Sequence, residues 1–392
     1  MRLKLSLIVL FFFFSAFADL PVLVRVGGTS AANFVYALFL FSSLLLVLEQ
    51  QYISKKIIRI NAFLFLFIVL SLISLFQVNI NERGLQNFFA LYLFASTIVY
   101  GNLTGCLDWF GGYRALKTGI TLIDVIGISI ALVNIITKGW GSDVFGARWL
   151  VGPRSLAMLA LIPFSWHLAD WIVSKRKSAF LVAFLWFLVM LASLSRAAIF
   201  ISLLIGMIVI LFFSKRPFIV KLIFVFFILI ILSSAFFVFP PLYNRTFGGD
   251  FAVFGGHLSV NTAGRLSIWS TVWQSAQQNL LFGQGIGTSE VLVESVFHSI
   301  RQPHNDYLRI IHDLGVVGCT IWVLQLIYWA KILFRHVRFK ASASSYQVLS
   351  LSSFLALFGF VCIMFTDNPI TFPFFLLPLG LLLGTALLAR PD

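Results

Sequence analysis

The chain has 392 residues, 60% of them hydrophobic and only 11% charged, with a mean hydropathy of +0.99. A soluble domain carries about 25% charged residues, so a water-soluble enzyme is excluded. Lysine and arginine number 28 against 14 acidic residues, a net charge of +14; in a membrane protein that excess must first be divided between the two faces before it says anything about partners, and nucleic acid is not expected among them.

Repeated apolar runs of about 20 residues read as transmembrane helices. They are continuous rather than alternating, which excludes a β-barrel, the other architecture that satisfies its backbone inside lipid. The predicted fold is an all-α polytopic helical bundle with twelve spans, at 5–24, 31–48, 60–77, 86–104, 116–136, 153–172, 178–194, 197–213, 218–239, 313–334, 347–365 and 370–389. The first has features of a signal peptide, with Arg2 and Lys4 ahead of a phenylalanine-rich run and Ser15-Ala16-Phe17-Ala18 after it; it is read as an uncleaved helix. With the N-terminus inside, 18 of the 28 basic residues fall on inner loops and ends, including Lys55, Lys56, Arg59, Lys175, Arg176, Lys177, Lys215 and Arg216. This is the positive-inside pattern, and it places both termini in the cytoplasm.

Ten basic residues remain outside, and nine of them are arginine: Arg25, Arg83, Arg148, Arg154, Arg196, Arg245, Arg265, Arg301 and Arg309, with Lys138. Arginine's planar fork matches phosphate and carboxylate, so the outer face suits an anionic ligand; snorkelling to lipid headgroups is the ordinary alternative. Arg196 interrupts nearly continuous apolar sequence at the outer tip of two spans, a costly place for a charge and a functional candidate for that reason. The cysteines Cys106, Cys319 and Cys362 form neither a disulfide framework nor a zinc spacing.

The chain divides into spans one to nine (1–239), one long outer segment (240–312) and spans ten to twelve (313–392). Three stretches of the outer segment stand out. Thr262-Ala263-Gly264-Arg265 opens an amphipathic helix in which Leu266, Trp269, Trp273 and Ala276 recur at helical spacing, as in a helix lying on a membrane surface. Gly283, Gly285 and Gly287 make a tight turn without the lysine of a phosphate-binding loop. Gln302-Pro303-His304-Asn305-Asp306 leads into the tenth span, with Pro303 suited to a helix start. The positive end of that helix disfavours an imidazolium, which leaves His304 able to accept a proton. Asp306 is placed to orient His304 or to cap the helix.

These residues resemble the O-antigen ligase/polymerase superfamily of bacterial membrane glycan transferases. The likeness rests on His304-Asn305, nine residues, then Gly315-x-x-Gly318, supported by Gly264-Arg265 with Trp269, the glycine turn and Ser195-Arg196. It implies a GT-C-like glycosyltransferase of the bacterial inner membrane, its active site facing the periplasm, needing neither nucleotide nor metal cofactor. The donor would be an undecaprenyl diphosphate-linked glycan. The acceptor would be lipid A–core for a ligase, or a lipid-linked glycan for a polymerase. The family's catalytic histidine maps onto His304 and its two diphosphate-binding arginines onto Arg196 and Arg265. Arg148, Arg154, Arg301, Arg309 and Asp306 are supporting candidates. The chain contains no Asp-x-Asp pair to hold a divalent ion. A transporter or flippase is the leading non-enzyme reading, with Asp124 the clear acidic residue inside a span; a purely structural membrane scaffold has less in its favour.

Overall fold

The computed structural model describes residues 2–17, 25–26, 29–30, 54–77, 82–141, 151–214, 216–253, 258–298, 300–338 and 343–390. The predicted span at 31–48 lies outside them. In chain order the helices are α1 (Arg2–Ser15), α2 (Lys55–Ile60), α3 (Ala62–Leu75), α4 (Glu82–Lys138), α5 (Pro153–Ser174), α6 (Lys177–Ala192), α7 (Arg196–Ile208), α8 (Phe218–Val238) and α9 (Pro240–Thr246). They continue with α10 (Arg265–Ala276), α11 (Thr288–Phe297), α12 (Asp306–Arg338), α13 (Ser344–Ile363) and α14 (Pro373–Leu388). Helix α7 runs on through a π-helical turn, Val209–Phe213. Among the described residues five helices are long and apolar enough to cross a membrane, and five shorter ones are apolar. The all-α expectation needs one amendment: antiparallel hairpins pair β1 (Arg25–Val26) with β2 (Thr29–Ser30) and β3 (Phe247–Val253) with β4 (Leu258–Val260).

Helix α4 joins two predicted spans. A straight 57-residue rod would be about 85 Å long, far beyond the roughly 30 Å of hydrocarbon. It breaks at Asp108 (φ −158°, ψ 74°), whose carboxylate accepts from the Gly111 amide at 2.8 Å and so starts the second half. Helix α12 begins seven residues before the predicted span because it too is two pieces, divided at Gly315 (φ 70°, ψ −177°). The break falls two residues inside the predicted span at 313–334.

Helices α4 and α14 pack backbone to backbone. Each carries glycines four residues apart, Gly101/Gly105 and Gly380/Gly384, and a Cβ on Gly101 would lie 2.8 Å from the Leu381 oxygen. Small residues at this spacing let helices approach in lipid, where apolar side chains alone give no preference for protein neighbours. Helix α1 packs on both, with Phe12 filling the space left by Gly119. Buried polar groups are matched across helices. Gln325 donates to Ile60 O and accepts from the Leu64 amide, spanning the junction of α2 and α3. Asp124 bonds His167 at 2.8 Å and accepts from Trp186 Nε1 at 2.7 Å, joining α4, α5 and α6.

Candidate functional site

The N-terminal ends of α5 and α7, the 240–305 segment and the turn after α13 carry the candidate residues. Between α6 and α7 the chain reverses in three residues. Leu194 adopts φ 54°, and Ser193 Oγ accepts from the Ser195 amide. Arg196 is therefore the first residue of α7. Its Nη1 donates to Asn261 O at 2.6 Å, and Asn261 N donates to Thr246 O at 2.8 Å, so Arg196 is tied to both ends of the β3–β4 hairpin.

From Asn261 the chain enters α10 through Ala263 and Gly264, both at positive φ (57° and 72°). Asp250, on β3, fixes this turn by accepting from Thr262 Oγ1 (2.6 Å), Thr262 N and Gly264 N (2.8 Å). The side-chain bond from Thr262 is the main reason the Asp250 carboxyl is held down to about 2. Arg265 follows as the first residue of α10. The buried face of α10 is Ile268, Val272 and Ala276, the first two clustered with Val293 of α11. Leu266 and Trp273 are exposed, so the predicted apolar stripe is divided between an inward and an outward face. Trp269 donates from Nε1 to Pro303 O at 2.8 Å, fixing α10 to the stretch that carries His304.

His304 precedes the helix rather than beginning it. It adopts φ 54°, Asn305 caps α12 by accepting from Leu308 N at 3.0 Å, and the helix begins at Asp306. The predicted start at Pro303 is thus displaced, because asparagine, with a side-chain acceptor, is the better cap. His304 is held by residues that sequence reading did not single out. Its amide donates to Asn368 Oδ1 at 2.7 Å, and its Nδ1 lies 3.4 Å from Asp367 Oδ1. Asp306 does not touch the imidazole. It accepts from Asn368 Nδ2 and Ile370 N, each at 3.0 Å, and pairs with Arg309 Nη2 at 3.0 Å. Asp306 therefore braces the turn after α13, and that turn orients His304.

The charges link these pieces. Arg265 is pushed below its ordinary value by burial and by Arg154, against an opposing pull from Asp367. Burial acts to raise the Asp367 carboxyl, but the hydrogen bond and charge of His304, then Arg154 and Arg265, hold it below its ordinary range. Arg196 feels the guanidinium groups of Arg265, Arg245 and Arg154 and the carboxylate of Asp250. His304, Asp367, Arg265, Arg154 and Arg196 thus form one electrostatic neighbourhood, with guanidinium groups in excess.

Other candidates lie elsewhere. Arg309 is buried between Asp306 and Glu290, the latter at 3.5 Å from Nη1. Arg301 is exposed and pairs with Glu294 at 3.2 Å, the residue that Arg83 also approaches at 3.5 Å. Arg148 falls outside the described residues. The glycine turn is built into the break in α12: Gln284 N and Gly285 N donate to the carbonyls of His312 and Asp313, and Gly287 N donates to Asp313 Oδ2 at 2.8 Å. Its amides are used internally, as a structural turn requires. Among the described residues no three His, Cys, Asp or Glu side chains group as a metal site.

No curated protein matches the chain. The model of the family described as O-antigen ligase matches residues 180–323, the stretch that carries Arg196, Arg265 and His304, and supports the chain's place in the O-antigen ligase/polymerase superfamily.

Proposed function

We propose that this protein is an inverting, metal-independent glycosyltransferase. It moves a glycan from undecaprenyl diphosphate to a sugar hydroxyl of lipid A–core at the periplasmic face of the bacterial inner membrane, on a GT-C-like bundle of twelve spans. The observation that carries the reading is Asp367, which contacts His304 on one side and senses Arg265 and Arg154 on the other. With Nδ1–H directed to Asp367, Nε2 of His304 is the proton acceptor.

The acceptor hydroxyl attacks the anomeric carbon and its proton passes to Nε2. The bond from that carbon to the diphosphate oxygen breaks on the opposite face, which gives inversion. Charge gathers on the leaving diphosphate, and Arg196, Arg265 and Arg154 stabilise it where a divalent ion serves in other transferases. A guanidinium cluster needs no added metal, so turnover should persist in EDTA.

The test is purified protein in lipid nanodiscs with an undecaprenyl diphosphate-linked glycan and lipid A–core. His304→Ala should still bind donor while transfer falls about 10²–10⁴-fold, the range of a general base. Transfer undiminished in this variant, or lost in EDTA, refutes the mechanism. In a deletion strain, long lipid-linked chains that never reach lipid A indicate ligation. A core carrying a single repeat unit assigns the protein instead as a polymerase with a lipid-linked acceptor.

A further inference from the structure

The stretch from Leu280 to Gly287 is tied to the ends of three helices. Leu280 O and Leu281 O accept from the amides of Val316 and Val317, the first residues of α12 after its break, at 2.9 and 3.3 Å. Ile286 N donates to Ser74 Oγ at 3.3 Å, in the last turn of α3. Gly287 sits against Gly84, near the start of α4, so closely that a Cβ on it would meet the Gly84 amide. The backbone here is fixed, yet the side chains of Leu281 and Phe282 are exposed at 62% and 59%. Phe76, just past α3, and Val316 are exposed beside these tie points. No charged residue lies between Arg265 and Glu290.

We propose that Leu281 and Phe282 are a membrane anchor, inserted at the boundary between headgroups and acyl chains, and that the partner of this surface is the uncharged part of the bilayer lipid. The argument is one of height. From Val316 to Arg335, in the basic last turn, α12 rises about 29 Å, which matches the roughly 30 Å of hydrocarbon. With Arg335 and Arg338 at one headgroup layer, Val316 lies at the opposite edge of the hydrocarbon. The carbonyls bonded to the Val316 and Val317 amides lie at the same level, so a leucine and a phenylalanine exposed there meet acyl chains. Such a turn can enter lipid only if its backbone groups are used. Besides the two carbonyls already bonded, Gly283 N donates to Asn279 O at 2.8 Å and Gly283 O accepts from Asn279 Nδ2 at 2.6 Å. The lack of charge selects the occupant: anionic headgroups or an acidic protein surface would need cations in this stretch. The anchor also sets the height of α10, because Gln284 Nε2 donates to Ser275 Oγ at 3.0 Å, near the end of the helix that Arg265 begins. This inference goes beyond the donor and acceptor assigned above and needs only that α12 crosses the bilayer.

The experiment uses the full chain in phosphatidylcholine nanodiscs, with its cysteines removed as Cys106→Ser, Cys319→Ala and Cys362→Ala. A spin label on Phe282→Cys should collide with oxygen in preference to a water-soluble nickel chelate, at the depth of lipid standards labelled near the acyl carbonyl. A label on Ser295→Cys, beside the surface pair of Glu294 and Arg301, should show the reverse preference. The unsubstituted chain gives a second readout: phosphatidylcholine with a diazirine near the start of its acyl chain should form adducts within residues 280–282. Adding phosphatidylglycerol should change neither result. Preference for the chelate at 282, no adduct at 280–282 in a chain labelled on α3 and α12, or a requirement for anionic lipid overturns the anchor. Dipolar broadening between labels at 282 that persists as lipid is added in excess assigns the surface instead to a second copy of the chain and overturns it as well. None of these readouts uses donor or acceptor, so the anchor and the transferase assignment stand or fall separately.

Discussion

Asp367→Asn tests the link between the imidazole and the arginines with little change in shape. Asparagine keeps an oxygen where Oδ1 accepts from the Asn368 amide at 3.0 Å, so the turn should hold; what disappears is the negative charge 3.4 Å from His304 Nδ1. At that distance and an effective dielectric of 20, a carboxylate and an imidazolium attract by about 5 kcal/mol. The guanidinium groups of Arg154 and Arg265 already use part of that field, which leaves about 2–3 kcal/mol for the imidazolium formed as the acceptor loses its proton. The turnover rate should therefore fall roughly 30- to 150-fold. Donor affinity should move the other way or stay level, because removing a negative charge beside Arg265 strengthens the field that holds a diphosphate. Steady-state transfer kinetics, donor binding and a melting curve separate these effects. A kcat that does not change, or a donor affinity that falls together with kcat in a protein that melts normally, would refute the coupling.

Three further outcomes follow from the packing and charges. Asp250 is held at about 2 against an ordinary 3.8, so its grip on Thr262 and Gly264 is complete above 3.8 and released as pH falls toward 2; the protection of those two amides, taken relative to the exchange rate of an unfolded chain at the same pH, should fall through this window, and unchanged protection would contradict it. Gly384→Leu places side-chain atoms against the Ile98 carbonyl oxygen on α4 and should cost about 1–3 kcal/mol or more, seen as a lower melting temperature in detergent. Gly315→Ala puts a Cβ against the Leu281 carbonyl in a left-handed conformation, where a cost of about 1–3 kcal/mol is expected; the variant should lose thermal stability and transfer together, and normal values for both would deny the break its role.

The bundle was readable because hydrocarbon imposes a simple rule: about twenty apolar residues without a charge form a helix. Its interruptions were harder to see. Asp108 turns α4 with a carboxylate cap, and Gly315 turns α12 with a φ that only glycine adopts readily. Both are single residues inside otherwise continuous helical patterns. The candidate site divides in the same way. Arg196, Arg265 and His304 are legible because a charge or imidazole beside an apolar run is conspicuous. Asp367 and Asn368 sit in a short break between two apolar runs and read as an ordinary turn. The usable signal is the pair of polar residues ahead of Pro369, between two apolar runs. Asp306 had the opposite fate: next to the histidine in sequence, it turns its carboxylate toward Asn368 and Ile370. Proximity along the chain does not reveal side-chain direction at a helix start.

The amide of His304 is held by a side chain 64 positions later. During synthesis, then, the ribosome must deliver and the membrane must accept α12 and α13 before the imidazole can be locked in place. A chain arrested after residue 323 would contain Arg196, Arg265 and His304 but neither Asp367 nor Asn368, so the hold on the histidine forms only once the turn after α13 has been made.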